Sequence, residues 1–528
     1  MTIASSTLRS TVYNRYWATG GGAEKYGGVI AELLSRRGPV ELLTHDPFDI
    51  EWLAERLRLD LSECTTRVID DTPRSLGDAA RASDLFVNVS FMSYDPAPHE
   101  RSLYVVHFPT SLDAHLSGLQ RAVIRRSGWL RRTALPVSFQ WGSGFHHREG
   151  GRRSTAWTDG EASLSIITDP EHPVRVKLLF GFQRPASAGP AGLVVCVGGK
   201  PVASDDLIGP PSTAERLLGR GLDFEVVSPA PDVAVDVTIR STTFVPNEIG
   251  IEGDGRTLGV PLVGIQIGSG VTGLLARAYP AILSQPVSSR WATTYGKVVS
   301  NSAFTREWVR RRWDIDSDVL YPPVSMYERG EKEPIILHVG RFFPAALGHS
   351  KKQRELVEAF RRLADSGVSG WSLHLVGGCA DEGRSYLAEV EDLARGYDVH
   401  FHVNASGSEL ADVLGRASIY WHASGLGLDA AREPDELEHF GISTVEAMSA
   451  GAVPVVLGVG GLVETVRHGR DGYHFRTVDG LVAMTRSLID DPDHRASMSA
   501  SAEERARCFG VAAFSDRLDA IIEELGTR

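Results

Sequence analysis

The C-terminal half of the chain alternates short apolar runs with segments of helical period. The run "PIILHVG" from residue 334 predicts a buried strand, and in the following "QRELVEAFRRLADSG" the apolar positions Leu356, Phe360 and Leu363 share one helical face. The alternation of strand and helix continues through "WSLHLVGG", "SYLAEVEDLARG", "VHFHV", "SELADVLGRA", "SIYWHAS", "STVEAMSAG" and "VPVVLG". It predicts a parallel sheet with helices on both faces, in which ligands lie beyond the carboxyl ends of the strands.

The N-terminal part shows the same alternation of strands and helices, but less clearly. A strand in "STVYNRY" precedes the loop "ATGGGAEKYGG", the helix "GVIAELLSRRG" and the strands "VELLTH", "DLFVNVSF" and "SLYVVHFP". Between about 137 and 270 the pattern changes to short runs of period two, such as "VAVDVTIR", which places Val233, Val235, Val237 and Ile239 on one face. These runs predict a β-sandwich inserted into a second doubly wound α/β domain.

The predicted organisation therefore has four parts. Residues 1–136 and 271–322 form a first Rossmann-like domain and residues 137–270 the inserted β-sandwich. A second Rossmann-like domain covers residues 323–510, and a helix at 511–528 is expected to pack back on the first domain.

Composition limits the function classes. A net charge of −12 argues against a nucleic-acid-binding protein, which normally presents a basic surface. The four cysteines lie far apart without a CxxC pair, so no zinc site or disulfide framework is predicted. No signal peptide and no uninterrupted apolar segment of 18 residues is found, which favours a cytoplasmic protein.

Two glutamates stand around a predicted helix start in "EPDELEHFGISTVEAMSAGAVPVV", residues 433–456. Ser443 and Glu446 fit a capping box, which would make Glu446 structural, but that motif does not explain Glu438. The free amides at a helix start favour an anionic ligand such as a phosphate. A carboxylate is compatible with such a ligand when it accepts hydrogen bonds from the ligand's hydroxyl groups, as a sugar or a ribose would supply.

The stretch "EHFGISTVEAMSAGAVPVV" resembles the Glu-x7-Glu signature of retaining glycosyltransferases of the GT-B fold, in particular glycosyltransferase family 4. The resemblance implies two Rossmann-like domains that face a cleft. It assigns Glu438 to hydroxyls of a donor sugar and Glu446 to the ribose of a nucleotide. It also implies that the sugar or the phosphates meet the backbone amides of the turn formed by Phe440, Gly441, Ile442 and Ser443.

Two cations follow the first strand of the C-terminal domain. In "HVGRFFPAALGHSKKQ" the strand ends at Gly340-Arg341, and Lys351 follows ten residues later. Both side chains would neutralise a departing diphosphate, although they would also be ordinary as solvated surface charges. The spacing is similar to the Gly-Arg and Lys pair with which the family grips the donor pyrophosphate.

Two N-terminal features complete the candidate site. Gly21 and Gly22 lie in "GGGAEKY", which resembles the Gly-Gly-Ala-Glu loop of the family but would also suit a plain loop. His107 in "YVVHFP" follows a strand, a position that is often structural, and the resemblance places it beside the donor sugar. We expect it to position the sugar rather than transfer a proton.

Two further stretches carry open alternatives. "DID" and "DSD" at 314–318 match an Asp-x-Asp metal pattern, but we interpret them as a solvated loop, because GT-B enzymes usually need no metal. Five arginines in "SGLQRAVIRRSGWLRRTAL", residues 117–135, predict either a helix that contacts anionic lipid or a solvated helix packed by its apolar stripe.

The resemblance implies a retaining transfer of a hexose-type sugar to a glycan, lipid-linked or natural-product acceptor. The co-substrate is a nucleotide-diphosphate sugar, with UDP or GDP left open, and no other cofactor is expected. The inserted segment resembles an accessory β-sandwich of some bacterial polysaccharide glycosyltransferases, in which Trp141 and Trp157 would stack on sugar or belong to the core. The alternatives are a non-catalytic carbohydrate-binding scaffold and a phosphorylase or sugar-phosphate synthase on the same fold.

Overall fold

The structure is a computed structural model. It describes residues 7–69, 75–93, 95–110, 138–142, 144–146, 155–182, 184–207, 212, 215, 219–230, 233–250, 256–268, 289, 291–344 and 350–526. Two compact units are present, one formed by Met1–Thr110 with Ser289–Arg528 and the other by Ser111–Ser288. The sequence placed these boundaries near 136/137 and 270/271, and the arginine-rich segment 117–135 lies outside the described residues.

The elements before the second unit are strands β1 (Ser10–Tyr13), β2 (Val40–Thr44), β3 (Cys64–Val68), β4 (Leu85–Asn88) and β5 (Ser102–Val106), with helices α1 (Gly22–Ser35), α2 (Ile50–Leu57) and α3 (Ser75–Ala80). The second unit contains β6 (Ser138–Trp141), β7 (Ala156–Trp157), β8 (Glu161–Ile167), β9 (Val174–Phe180), β10 (Leu193–Val197), β11 (Lys200–Asp205), β12 (Arg220–Val226), β13 (Val235–Arg240) and β14 (Pro261–Ile267).

The chain then returns to the first unit with strands β15 (Lys297–Ser300), β16 (Asp318–Val319), β17 (Glu333–Val339), β18 (Ser372–Gly377), β19 (Val399–Val403), β20 (Ala417–His422), β21 (Val453–Leu457) and β22 (Tyr473–Phe475). Its helices are α4 (Ala303–Trp313), α5 (Gln353–Asp365), α6 (Arg384–Ala394), α7 (Gly407–Arg416), α8 (Ile442–Ser449), α9 (Leu462–Thr465), α10 (Val478–Asp490), α11 (Pro492–Arg507) and α12 (Val511–Gly526).

Both large sheets of the first unit are parallel and share one strand order. Among the described residues the N-terminal sheet runs β3-β2-β1-β4-β5-β15-β16 and the C-terminal sheet β19-β18-β17-β20-β21-β22. Each is the doubly wound Rossmann order, in which the winding reverses between the first strand and the fourth. The predicted pair of doubly wound domains is therefore confirmed, and the rule for such sheets predicts a ligand crevice at each reversal point.

The second unit is built from antiparallel strands. Within its described residues one sheet runs β11-β10-β13-β8-β6 and the other β12-β9-β14-β7. Alternate residues of both sheets, among them Leu164 and Val237 from one and Leu178 and Leu262 from the other, bury into a single core. Val233, which the period-two pattern placed in this core, is 43% exposed because it precedes the first residue of β13.

Trp157 belongs to the interior of the second unit. Its ring is 7% exposed and meets Phe244 edge-on at a centroid distance of 5.8 Å. It therefore fills the core and offers little surface to a sugar. The side chain of Trp141 lies outside the described part of the chain.

Helix α1 begins earlier than the sequence indicated. The stretch "ATGGGAEKYGG" was predicted to be a loop, but the helix starts at Gly22 with Gly21 as its N-cap. The Glu24 carboxylate accepts a hydrogen bond from the Gly21 amide at 2.8 Å and so caps the first turn. A Cβ on Gly27 would come within 2.7 Å of Val89, so this glycine serves close packing rather than a turn.

The last helix, α12, packs on the N-terminal sheet. Phe514, Leu518, Ile521 and Leu525 are buried in the same core as Leu103 of β5. The apolar face of α12, at the C-terminal end of the chain, thus packs on a sheet whose strands come mostly from the N-terminal end.

Contacts inside the first unit join its two Rossmann parts. Arg312 of α4 donates to both carboxylate oxygens of Asp435 at 2.6 Å, in the segment that leads to α8. Phe108, two residues after β5, stacks on His439 with a centroid distance of 3.9 Å and an interplanar angle of 6°. These contacts hold the segment that carries Glu438 against the N-terminal sheet.

Thr110 and Ser289, the residues of the first unit that flank the second unit in the chain, both contact Trp313. Trp313 donates its indole N–H to the carbonyl of Thr110 at 3.0 Å, and its own carbonyl accepts a hydrogen bond from Ser289 at 2.6 Å. The chain thus leaves and re-enters the first unit at the same place.

Candidate active site

The predicted site residues of the C-terminal domain lie at the reversal point of its sheet. Gly340 directly follows β17, and His422 is the last residue of the neighbouring strand β20. Helix α8 begins after the segment that follows β20 and presents its N-terminus at this edge. Lys351 contacts both Gly340 and Glu438, so these three residues lie together, and their role in a donor site stays a prediction.

Lys351 and Glu438 form an ion pair. The Lys351 ammonium donates to Oε2 of Glu438 at 2.8 Å, and the two side chains are 29% and 18% exposed. His422, fully buried at the end of β20, places its Nε2 3.1 Å from the same oxygen. Both neighbours thus lie at Oε2, and among the described residues none donates a hydrogen bond to Oε1 of Glu438.

This arrangement keeps Glu438 ionised. Burial raises the pKa of Glu438, but the charge of Lys351 and the contact with His422 outweigh it and hold the pKa well below its usual range. Burial lowers the pKa of His422, so its ring is neutral near pH 7. His338 behind it donates from Nδ1 to the Trp421 carbonyl at 2.9 Å, and burial together with His422 lowers the His338 pKa to about 3.

Gly340 is required by the packing of Lys351. A Cβ on Gly340 would lie 2.9 Å from Cγ of Lys351 and 2.9 Å from Nε2 of His338. A larger residue would therefore displace the lysine that pairs with Glu438. Gly340 also accepts a hydrogen bond from the Gln353 side chain at 3.1 Å, which fixes the start of α5 against this turn.

Arg341 is the second predicted cation, and it is exposed. Its guanidinium lies 5.8 Å from the ring of Phe343, and no carboxylate among the described residues forms a salt bridge with it. Its backbone carbonyl accepts a hydrogen bond from Gln353 at 2.9 Å. The backbone is therefore fixed while the positive charge remains available to an anion.

The N-terminus of α8 has no side-chain cap. Its N-cap is Gly441, which adopts φ +94° and cannot contribute a capping oxygen. Ser443 lies inside the helix, and its hydroxyl accepts a hydrogen bond from Tyr420 at 2.8 Å. The capping-box explanation of Ser443 and Glu446 is therefore wrong, and no described residue accepts a hydrogen bond from the first-turn amides of Ile442 and Ser443, which suits them to an anion.

Phe440 anchors this turn. Its ring is 2% exposed and packs on Tyr321 and Phe509 at centroid distances of 5.7 and 5.4 Å. A Cβ on Gly441 would come within 2.6 Å of Leu462. The side chain of Phe440 is thus structural, and what the turn can offer a ligand is its backbone.

Glu446 projects from the second turn of α8, where it is half-buried. Burial raises its pKa to about 7, and the charges of Lys25 and Arg58 partly counteract this. No described residue donates a hydrogen bond to its carboxylate. The carboxylate can therefore accept hydrogen bonds from ligand hydroxyls.

The glycine turn of the N-terminal domain faces the start of α8. A Cβ on Gly22 would lie 3.5 Å from the side chain of Ile442. Gly21 uses its amide on Glu24, whose other oxygen accepts from Asn14 at 3.2 Å. Gly22 therefore lies against the predicted site, whereas the backbone N–H of Gly21 is already engaged.

His107 lies where β5 ends and is held by the neighbouring strand end. Its Nε2 donates to the Val89 carbonyl at 2.8 Å, which leaves Nδ1 as an acceptor, and its ring meets Tyr26 edge-on at 5.8 Å. Burial lowers the pKa of His107, so the ring is neutral near pH 7. A role in positioning the sugar remains a prediction.

The Asp-x-Asp stretches serve structural contacts. Asp314 caps the C-terminus of α4 with φ +55°, and Asp318 pairs with Lys297 at 2.9 Å. No group of three or more His, Cys, Asp or Glu side chains suited to a metal ion is found in the part of the chain that the structure describes. Within the same part, no helix combines the length and apolar character needed to cross a membrane.

The sequence did not single out Lys25, Arg58, Arg312 or His422 as site residues. His422 lies near the end of the predicted strand "SIYWHAS", so the rule that selects residues at the carboxyl ends of strands could have identified it. Lys25 lies within the glycine-rich motif itself. Arg58 and Arg312 reach the site only through the tertiary fold and have no local signal.

Replacing Glu446 by glutamine should stabilise the ligand-free protein at pH 8. A glutamate whose pKa rises to about 7 on folding loses its contribution to stability as the pH increases toward 7, and glutamine avoids this loss. We expect a gain on the order of 2 kcal/mol at pH 8, allowing for solvent screening, that disappears below about pH 4.5. Thermal unfolding across this range measures it, with the exposed Glu504→Gln as control, and a lower Tm at pH 8 would contradict it.

Three comparisons relate the chain to known proteins. The family model described as "Glycosyl transferases group 1" matches residues 326–505. A GDP-Man:Man(3)GlcNAc(2)-PP-Dol alpha-1,2-mannosyltransferase of Dictyostelium discoideum is 24% identical over 43% of this chain and 47% of its own length. A D-inositol 3-phosphate glycosyltransferase of Thermobispora bispora is 32% identical over 28% of this chain and 34% of its own length.

The chain thus spans about half of the first of these relatives and a third of the second. A solved glycosyltransferase structure from Rickettsia africae ESF-5 aligns with 98% of this chain and 99% of its own, at 10% identity and a TM-score of 0.50. This likeness concerns the fold, and with the two Rossmann strand orders it confirms the predicted GT-B architecture. Residues 326–505, which carry Arg341, Lys351, Glu438 and Glu446, are therefore a glycosyl transferases group 1 domain.

Proposed function

We propose that the protein is a retaining glycosyltransferase of family 4. It transfers a hexose-type sugar from a nucleotide-diphosphate sugar to a glycan, lipid-linked or natural-product acceptor. The observation that carries this proposal is the Lys351–Glu438 ion pair at the reversal point of the C-terminal sheet, beside the uncapped N-terminus of α8.

The site supplies what a departing diphosphate requires. Lys351, Arg341 and the amides at the start of α8 offer positive charge that is fixed before the reaction begins. Charge develops on the diphosphate oxygen as the bond to the anomeric carbon breaks, and preorganised donors at that position lower the barrier.

The two glutamates fit binding roles rather than nucleophilic attack. Glu438 is held at Oε2 by Lys351 and His422, so its free Oε1 is suited to a sugar hydroxyl. Glu446 suits the ribose hydroxyls, as the resemblance implies. We therefore favour a front-face displacement, in which the acceptor oxygen bonds to the anomeric carbon on the side from which the diphosphate leaves. The departing phosphate oxygen accepts the acceptor's proton.

The second unit is proposed to be an accessory β-sandwich, supported by its two antiparallel sheets around a common core. It begins after Thr110, three residues beyond His107 in the chain. Peripheral membrane contact through residues 117–135 and a cytoplasmic location also remain proposals.

A screen of nucleotide sugars tests this function. The protein is mixed with UDP-, GDP- and ADP-sugars, and binding is followed by thermal shift before release of the nucleotide diphosphate is measured with candidate acceptors. We expect one donor to raise Tm and to be turned over, with the anomeric configuration of the product retained by NMR. Turnover that requires inorganic phosphate would instead favour a phosphorylase, and binding of sugars without turnover would favour a scaffold.

A further inference from the structure

Helix α4 is anchored on the sheet of the N-terminal domain. Thr305, Val309 and Trp313 are buried and share one face of the helix. The ring of Trp313 lies 6.4 Å from that of Tyr104 in β5, and its indole N–H donates to the Thr110 carbonyl at 3.0 Å. The N-terminal sheet therefore fixes the position of α4.

The last turn of α4 contacts the segment that carries Glu438. Arg312, whose side chain is 15% exposed, donates from both terminal nitrogens to the Asp435 carboxylate at 2.6 Å. The same guanidinium donates to the Pro109 carbonyl at 2.6 Å and lies 5.3 Å from the ring of Phe108. A bidentate pair fixes orientation as well as distance. Asp435 therefore has a fixed place three residues before Glu438.

The residue after Glu438 is held as well. Phe108 is buried, and its ring stacks on that of His439 with a centroid distance of 3.9 Å. From the C-terminal domain, the Gly461 amide donates to the Glu438 carbonyl at 2.8 Å. A Cβ on Gly461 would overlap the His439 carbonyl oxygen, so the two segments are in close contact. The backbone around Glu438 is thus held from both domains.

The first turn of α4 is also bonded to the C-terminal domain. The Glu464 carboxylate in α9 accepts hydrogen bonds from the amides of Ala303 and Phe304 at 2.8 and 3.0 Å. A carboxylate is favourable at this position, because the first amides of a helix have no partner within it. Glu464 follows Gly461 by three residues. The two ends of α4 therefore contact the two segments that fix the backbone of Glu438.

We propose that α4 positions Glu438 for the donor sugar, with Arg312 and Glu464 as its positioning residues, so that recognition of the sugar requires the contact between the two Rossmann parts. This inference rests on the proposed function, in which Glu438 binds hydroxyls of the donor sugar. A hydrogen bond depends steeply on distance and angle, and a displacement of about 1 Å in an active site can reduce turnover by on the order of 100-fold. Both residues act through the backbone that carries Glu438.

A contact that only joins the two Rossmann parts would behave differently in a variant. Loosening of the parts would weaken the nucleotide and the nucleotide sugar to the same degree, because both bind at the edge of the C-terminal sheet in the proposed function. Displacement of Glu438 would weaken only the contribution of the sugar. The ratio of the two affinities therefore separates a positioning role from a joining role.

The test measures this ratio by calorimetry for UDP-glucose with UDP, GDP-mannose with GDP and ADP-glucose with ADP. For the pair that the unmodified protein binds, Arg312→Met should weaken the nucleotide sugar about 10-fold and leave the affinity for the nucleotide diphosphate unchanged. Its kcat should fall by about 10-fold or more. Arg312→Lys should recover part of both, because it keeps the charge without the bidentate geometry. Glu464→Gln should change the ratio less, since its amide keeps one accepting oxygen.

Arg310→Met is the matched control. Arg310 belongs to the same helix, is 64% exposed and pairs with Glu307 at 3.4 Å within α4. Its replacement should leave the ratio and kcat unchanged. If Arg312→Met does not fold, Asp435→Asn weakens the same ion pair from its more exposed member and should change the ratio in the same direction.

The outcomes separate this inference from the proposed function. If the unmodified protein binds and turns over a nucleotide sugar but the folded Arg312→Met variant keeps its ratio and kcat, only the role of α4 is overturned. An equal loss of affinity for the nucleotide and the nucleotide sugar would also overturn it, because it would indicate a joining contact. Failure of the unmodified protein to bind any of the three nucleotide sugars would overturn the proposed function and this inference together.

Discussion

Replacing Lys351 by alanine is expected to lower kcat about 100-fold or more. The ammonium of Lys351 is the half-buried member of the predicted cation pair, and single preorganised charges at a developing anion contribute to this extent. The change has a second effect, because Lys351 is the main stabilising partner of the ionised Glu438. Both kcat and the orientation of the donor sugar should therefore suffer, and KM for the donor should also rise.

The neighbouring residue offers a matched control. Lys352 pairs with Glu355 at 3.4 Å in the first turn of α5, so Lys352→Ala removes the same charge without touching Glu438. Steady-state kinetics of the two variants with the identified donor make the comparison. We also expect Lys351→Ala to reduce the free energy of unfolding by on the order of 2 kcal/mol, because it leaves the half-buried Glu438 carboxylate without its cation. A turnover close to normal in Lys351→Ala would contradict the mechanism.

Arg341→Ala should reduce kcat to a similar degree, about 100-fold, but without a cost in stability. Its guanidinium is exposed and makes no ion pair with any carboxylate in the described part of the chain, so the folded protein has little to lose. Arg341→Ala should thus lower kcat alone, whereas Lys351→Ala should lower both kcat and the free energy of unfolding. Arg341→Lys should recover part of the activity, since it keeps the charge but not the planar geometry that binds two phosphate oxygens.

Kinetics and thermal unfolding of Arg341→Ala are compared with those of Arg384→Ala. Arg384 is another exposed arginine of the C-terminal domain, and it pairs with Asp381 at 2.9 Å. We expect both variants to keep the Tm of the unmodified protein and only Arg341→Ala to lose turnover. Equal activity in the two variants would mean that Arg341 is a solvated surface charge.

The C-terminal domain was predictable because its pattern is local. Apolar runs such as "PIILHVG" and the helical stripe of Leu356, Phe360 and Leu363 fix strand and helix, and the rule for ligand position then selects the residues after each strand. Gly340 and Lys351 were found in this way together with the motif. The rule needs only the order of elements and no knowledge of their packing.

What the sequence missed depends on packing between distant segments. Glycine-rich sequence argued against a helix in "GGGAEKYGG", but the Glu24 cap and the close approach of Val89 to Gly27 favour one. The spacing of Ser443 and Glu446 suggested a capping box, whereas the left-handed Gly441 starts α8 two residues earlier. The hydrogen bond from Lys25 to Ser325 likewise forms only when the two Rossmann parts meet.

The meeting of Thr110 and Ser289 at Trp313 has an architectural consequence. A segment whose two ends coincide can be exchanged, shortened or enlarged without altering the path of the strands on either side of it. The entropy of closing such a loop grows slowly, by about 0.6 kcal/mol for each doubling of its length. Segments of other lengths or folds can therefore replace residues 111–288 while the strand order of the first unit stays the same.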